Sequence, residues 1–191
     1  MNSESSVFEA IRRGYTNLES SSPQEICEYF SSQDPVALTG HINNIKGIVF
    51  EQEIVDALND NGIKAMLFAE TNHPNSDIFV LDDSEVIAEY QLKATDSIQY
   101  ISSTLEECSD IPIIATTEVA SEFSDANVLD SGLSNEDLTN FVSDVLSAGT
   151  VDPTADYLSD DLNEELIDTI VDMVGIGFPI PSPLWLLGLL L

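Results

Sequence analysis

Asp77, Gln91 and Lys93 are the residues whose types and spacing suggest chemistry. They fall in a stretch, Asn75 to Lys93, that reads as a β-hairpin. The apolar run Ile78 to Leu81 leads into the turn-forming cluster Asp82-Asp83-Ser84, and an extended run, Val86 to Leu92, returns. A loop of two to four residues sets Asp77 opposite Tyr90 or Gln91, and the period of 2 along a strand puts Glu89, Gln91 and Lys93 on one face. Hydrolysis of a phosphodiester needs a hard cation that activates water and neutralises charge on the transferring phosphate. Mg²⁺ takes oxygen ligands, usually a few protein carboxylates and several waters. A lysine beside it orients the nucleophile or stabilises developing negative charge. Asp77, the Gln91 amide oxygen, the Leu92 carbonyl and Lys93 supply such a set.

The elements that must hold these residues are legible on either side. Residues 42–61 read as a helix closed by Asn61-Gly62, with Ile48, Val55 and Leu58 on one stripe. Glu51 falls on that stripe. A carboxylate on the buried face of a helix is costly without a partner, so Glu51 joins the hairpin residues as a candidate metal-site acid. Residues 63–70 alternate like a strand, and His73 lies in the loop after it, where a solvated role is expected. After the hairpin, 96–108 reads as a helix with Ile98, Ile101, Leu105 and Cys108 inward. Ile111 to Thr117 reads as a short buried strand, parallel to its neighbours. A helical turn over 118–123 and an extended fragment at Val128-Leu129 follow. A helix over 134–147 opens on a capping box, with Ser134 as N-cap and Asp137 three residues on. Ahead of all this, helices are expected over 5–18 and 23–30. Arg12-Arg13, the only basic pair, is expected on a solvated helix face.

The charge balance is extreme: 35 acidic against 5 basic residues, a net charge of −30 over 191 residues. Such a surface repels itself and nucleic acid at low salt. In molar salt the Debye length falls to about 3 Å and both repulsions largely vanish. The acids are scattered through every segment, which suits a halophile's surface better than a nucleic-acid mimic or an acidic interaction protein. At 43% hydrophobic residues the chain has material for a real core. Cys27 and Cys108 have no zinc-site spacing, and the N-terminal residues lack the apolar core of a signal peptide, so a cytoplasmic location is expected. The end, from Gly175 on, is apolar but carries three prolines. Its final run, Leu184–Leu191, is too short to span a bilayer, which takes about 20 residues, though membrane contact through it is an expectation.

Gly47-Ile48-Val49-Phe50-Glu51, Asn75-Ser76-Asp77 and Gln91-Leu92-Lys93, taken in that order, resemble the PD-(D/E)XK restriction-endonuclease-like superfamily, especially its Gln-x-Lys, Holliday-junction-resolvase-like members. The resemblance covers about residues 40–146. The chain is also similar to a group of bacterial proteins in which such a domain precedes glycine-rich hydrophobic segments. The resemblance implies an α/β fold, a mixed β-sheet flanked by helices, and a Mg²⁺-dependent (or Mn²⁺-dependent) endonuclease acting on DNA. It implies that Glu51 is the helix acid, Asp77 the central metal-binding acid, Gln91 a metal ligand in place of the usual acid, and Lys93 the catalytic lysine. Ser76 stands where the family's proline would be. Gln91 is a weaker ligand than an acid, and Glu89, on the same face, is the substitute. The expected organisation is a helical extension over 1–40, the nuclease-like domain over 41–147, and an acidic helix with a hydrophobic tail over 148–191.

Two other readings stay open. One is the same fold without catalysis, used as a binding or sensing module with the tail as its attachment, since a fold does not dictate function. The other is an acidic partner-binding protein unrelated to nucleases, which would leave Glu51, Asp77 and Lys93 far apart.

Overall fold

The computed structural model describes residues 6–68, 75–107, 110–124, 127–148 and 164–175. The expectations for His73, Cys108 and the apolar C-terminal end lie outside these residues. Helices α1 (Ser6–Gly14), α2 (Pro23–Ser31) and α3 (Pro35–Asp60) precede strands β1 (Ala65–Leu67), β2 (Ile78–Asp82) and β3 (Glu85–Lys93). Helix α4 (Ile98–Glu107), strand β4 (Ile113–Ala115), the turn of helix α5 (Thr117–Ala120), strand β5 (Val128–Asp130) and helix α6 (Asn135–Ala148) follow. A last described helix, α7, spans Glu164–Val174. The fold is α/β, with one five-stranded mixed sheet in the order β1-β2-β3-β4-β5.

The hairpin is the antiparallel half. Asp82 pairs with Glu85 across a two-residue turn, with Asp83 at φ 52°, and the register shifts by a bulge at Val80/Leu81. Strand β3 then pairs in parallel with β4, Gln91 opposite Ile113 and Lys93 opposite Ala115, and β4 pairs in parallel with β5. The short run at 113–115 is parallel to both neighbours, as its continuous apolar composition requires when both faces are covered.

Alternation sorts the side chains between two cores. Ile78, Val80, Tyr90, Leu92, Ile114 and Leu129 join the main core with Ile45, Val49, Phe50, Ile54 and Leu58 of α3. Ile113, Ala115 and Val128 face the other way, against Ile101 of α4 and Val119 of α5. Helix α1 belongs to the main core, with Val7, Phe8, Ala10 and Ile11 wholly buried. At Gly14 an added Cβ would meet only the Cδ1 tip of Ile48 closely, which the flexible isoleucine side chain can move aside.

Several expectations need correction: helix α1 ends at Gly14, not near residue 18. Helix α3 begins at Pro35, not near residue 42. Asp34 caps it by accepting from the amides of Val36 and Ala37, and Pro35 fills the first turn. Gly40 interrupts the pattern without ending the helix, because a mid-helix glycine costs only about 1 kcal/mol. Ile98, expected inward, is 48% exposed, since it opens α4 before the helix meets the sheet. At α6 the Asp137 amide donates to Ser134 Oγ as expected. The reciprocal carboxylate is Glu118 of α5, which accepts from Ser134 Oγ and from the Asn135 and Glu136 amides. Burial pushes the Glu118 carboxyl up, but these hydrogen bonds outweigh it and hold it below the usual range.

Because Phe8 is fully enclosed between α1 and α3, Phe8→Ala is expected to cost about 3–5 kcal/mol in urea unfolding followed by circular dichroism. A loss under 1 kcal/mol would mean that α1 is not part of the core.

Candidate active site at the open end of the hairpin

Asp77 lies one residue before β2. Its amide donates to the Tyr90 carbonyl at 2.9 Å, beside the Ile78↔Tyr90 pair that ends the ladder, so Asp77 sits against the Tyr90–Leu92 end of β3. Asp77 Oδ2 accepts from the Leu92 amide at 2.7 Å and from Lys93 Nζ at 3.3 Å. One carboxylate oxygen therefore ties the end of β3 to the start of β2 and fixes the lysine beside it. Both side chains of this ion pair are mostly buried, 16% exposed for Lys93 and 17% for Asp77.

Glu51 approaches from α3. Its Oε2 accepts from Arg13 Nη1 at 3.0 Å, and Arg13 Nη2 donates to the Phe68 carbonyl, one residue beyond β1, also at 3.0 Å. Burial lifts the Glu51 carboxyl from 4.5 to about 7. The charge of Asp77 adds to the rise, and Arg13 and then Lys93 oppose it. Glu51, Asp77 and Lys93 thus stand within electrostatic reach of one another at the end of the hairpin that carries β1, not far apart.

Gln91 is buried, and its Oε1 has no hydrogen-bond partner among the described residues; the same holds for Gln52 Oε1 on α3. An unpartnered buried amide oxygen is costly and is a hard-cation ligand in kind. Among the described residues Asp77 meets its donors through Oδ2 and Glu51 meets Arg13 through Oε2, so there each carboxylate keeps a second oxygen for another ligand. Among the described residues no group of three or more His, Cys, Asp or Glu side chains stands together as a metal cluster. The third oxygen donor here is an amide. Glu89 lies on the same strand face but is exposed, and it accepts from Ser76 Oγ at 2.7 Å. Ser76 is itself buried.

Arg13 was not expected here. Instead of a solvated face, it occupies the flank of a helix whose other side is buried, one turn after Ala10. The sequence signal was that apolar stripe, Val7, Phe8, Ala10 and Ile11, which commits α1 to packing and carries Arg13 inward with it. Arg12 turns elsewhere, its Nε donating to the Ser21 carbonyl.

No protein-family model matches the chain, and no curated protein and no solved structure gives a significant match to it.

A carboxyl raised by folding stabilises the fold below its unfolded value and gives that up as pH rises through the folded one. The rise at Glu51 from 4.5 to about 7 corresponds to about 3 kcal/mol. Between those two values the unaltered protein is expected to lose about 3 kcal/mol of stability that Glu51→Gln retains. Denaturant unfolding of both proteins across that range, at one fixed salt concentration, checks it; parallel pH profiles would show that Glu51 ionises as if exposed.

Proposed function

We propose that the protein is a divalent-cation-dependent nuclease of the restriction-endonuclease-like kind, hydrolysing DNA phosphodiester bonds. The observation that supports this most is the meeting of Glu51, Asp77, Gln91 and Lys93 at one end of the hairpin. On this reading Asp77, Glu51 and the Gln91 amide oxygen hold Mg²⁺ or Mn²⁺, with Glu89 as a reserve acid. The bound cation supplies activation of water and neutralisation of phosphate charge.

The chain's own residues have separate tasks. The Leu92 amide fixes the Asp77 carboxylate so that it need not reorganise. Lys93, held by Asp77 through one oxygen, presents its remaining ammonium hydrogens to the nucleophile or to the phosphate as charge develops. The tyrosine and leucine on either side of Gln91 are buried in the main core, so the strand that carries Gln91 and Lys93 is rigid.

A catalytically inactive binding module on the same fold is the second reading. The net charge of −30 and the amide at position 91 favour it, because a nucleic-acid binder ordinarily gains affinity from lysines and arginines that neutralise phosphates.

Cleavage of duplex, junction and single-stranded DNA with Mg²⁺ or Mn²⁺, in low and in molar KCl, separates the two. Metal-dependent cleavage is expected, falling by roughly 10²-fold or more in both Asp77→Ala and Lys93→Ala. Folded protein that cleaves nothing at any salt would leave the binding module. Independently of turnover, Mg²⁺ is expected to raise the melting temperature of the unaltered protein and not that of Asp77→Asn, since a ligand of the folded state alone stabilises it.

A further inference from the structure

Only five basic residues serve the whole chain, and their placement is informative. Arg12 is tied to the Ser21 carbonyl. Lys46 is buried on α3 against Asn135 Oδ1. Lys64 is exposed at the hairpin turn, donating to the Asp83 carbonyl at 3.2 Å. Arg13 and Lys93 remain, and both stand at the open end of the hairpin.

Arg13 is held at two fixed points, Glu51 Oε2 on α3 and the Phe68 carbonyl beyond β1. Those contacts use two of the five N–H donors of a guanidinium. The side chain is 19% exposed, and its other donors meet no acceptor among the described residues. A planar donor fork beside a site built for a phosphodiester matches the geometry of phosphate oxygens.

We propose that Arg13 binds a backbone phosphate of the nucleic acid held at this site, so that the N-terminal helix, as well as the hairpin, forms the substrate-binding surface. The inference rests on the nuclease-like reading. It places a phosphate-matching donor fork at the site itself in a chain of net charge −30. Arg13 would contact the phosphate while remaining anchored to Phe68, which fixes the guanidinium in advance.

Removing Arg13 also strips Glu51 of its partner, so the test is made where that partner is already gone. Binding of a labelled DNA duplex is measured by fluorescence anisotropy, with Ca²⁺ in place of Mg²⁺, across a KCl series. The proteins compared are the unaltered chain, Glu51→Gln, the double variants Arg13→Gln/Glu51→Gln and Arg13→Lys/Glu51→Gln, and Lys64→Gln. Circular dichroism establishes that each is folded. Relative to Glu51→Gln, the Arg13→Gln double variant is expected to bind about tenfold more weakly, with the slope of log K against log salt smaller by about 0.9. The lysine double variant is expected to keep that slope, and Lys64→Gln to match the unaltered protein. Equal affinity and slope in Glu51→Gln and the Arg13→Gln double variant would overturn the role of Arg13 while leaving the site intact. Absence of binding by the unaltered protein at every salt concentration would overturn the nuclease reading, and this inference with it.

Discussion

A carboxylate taken out of water must be answered by a partner, and the packing of α3 on the sheet takes Glu51 out of water. Asp77 makes matters worse, because its negative charge adds to the rise of the Glu51 carboxyl. Two cations answer these two acids, Arg13 from α1 and Lys93 from the end of β3. The paired charges therefore link the N-terminal helix, the long helix, the end of β1 and both strands of the hairpin at one place. Their arrangement requires the rest: α1 must pack on α3, and the hairpin must be in the register that brings Asp77 to Leu92 and Lys93.

That register was legible in the sequence because a strand has period 2 and a tight turn admits few loop lengths. Asp77 was expected opposite Tyr90 or Gln91; Ile78 takes the place opposite Tyr90, and Asp77, one residue earlier, donates its amide to the Tyr90 carbonyl. The convergence of Glu51 on the hairpin was legible as a polar residue on an apolar stripe. The start of α3 was not, because Thr39-Gly40-His41 looks like a break when only propensity is weighed, while the cap that starts the helix is an aspartate followed by proline several residues earlier. Arg13 was missed for a related reason. Read alone, a basic pair on a short amphipathic helix is a solvated face; only the tertiary packing of that helix decides which of the two arginines turns inward.

The acids outside the site are not idle solvation. Asp34 caps α3, Glu25 closes the capping box of α2 on Ser22, and Glu118 gathers the first amides of α6. Helix N-termini carry unsatisfied amides and the positive end of the helix dipole, so each favours a carboxylate there. A chain with few cations can thus place part of its negative charge against backbone donors instead of against lysines, and keep its scarce basic side chains for positions that backbone amides cannot serve.

The same charge logic bears on Gln91. Gln91 is buried between Tyr90 and Leu92, whose backbone groups hold Asp77, in a region where two carboxylates are already close enough for one to shift the other. A third acid there would add a buried negative charge, raise Glu51 further, and leave Arg13 and Lys93 as two cations against three acids. An amide offers an oxygen of the same reach without the charge. Its cost is an oxygen with no hydrogen-bond partner among the described residues. An amide at position 91 therefore keeps the charge balance at this end of the hairpin, where Glu51 and Asp77 are matched by Arg13 and Lys93.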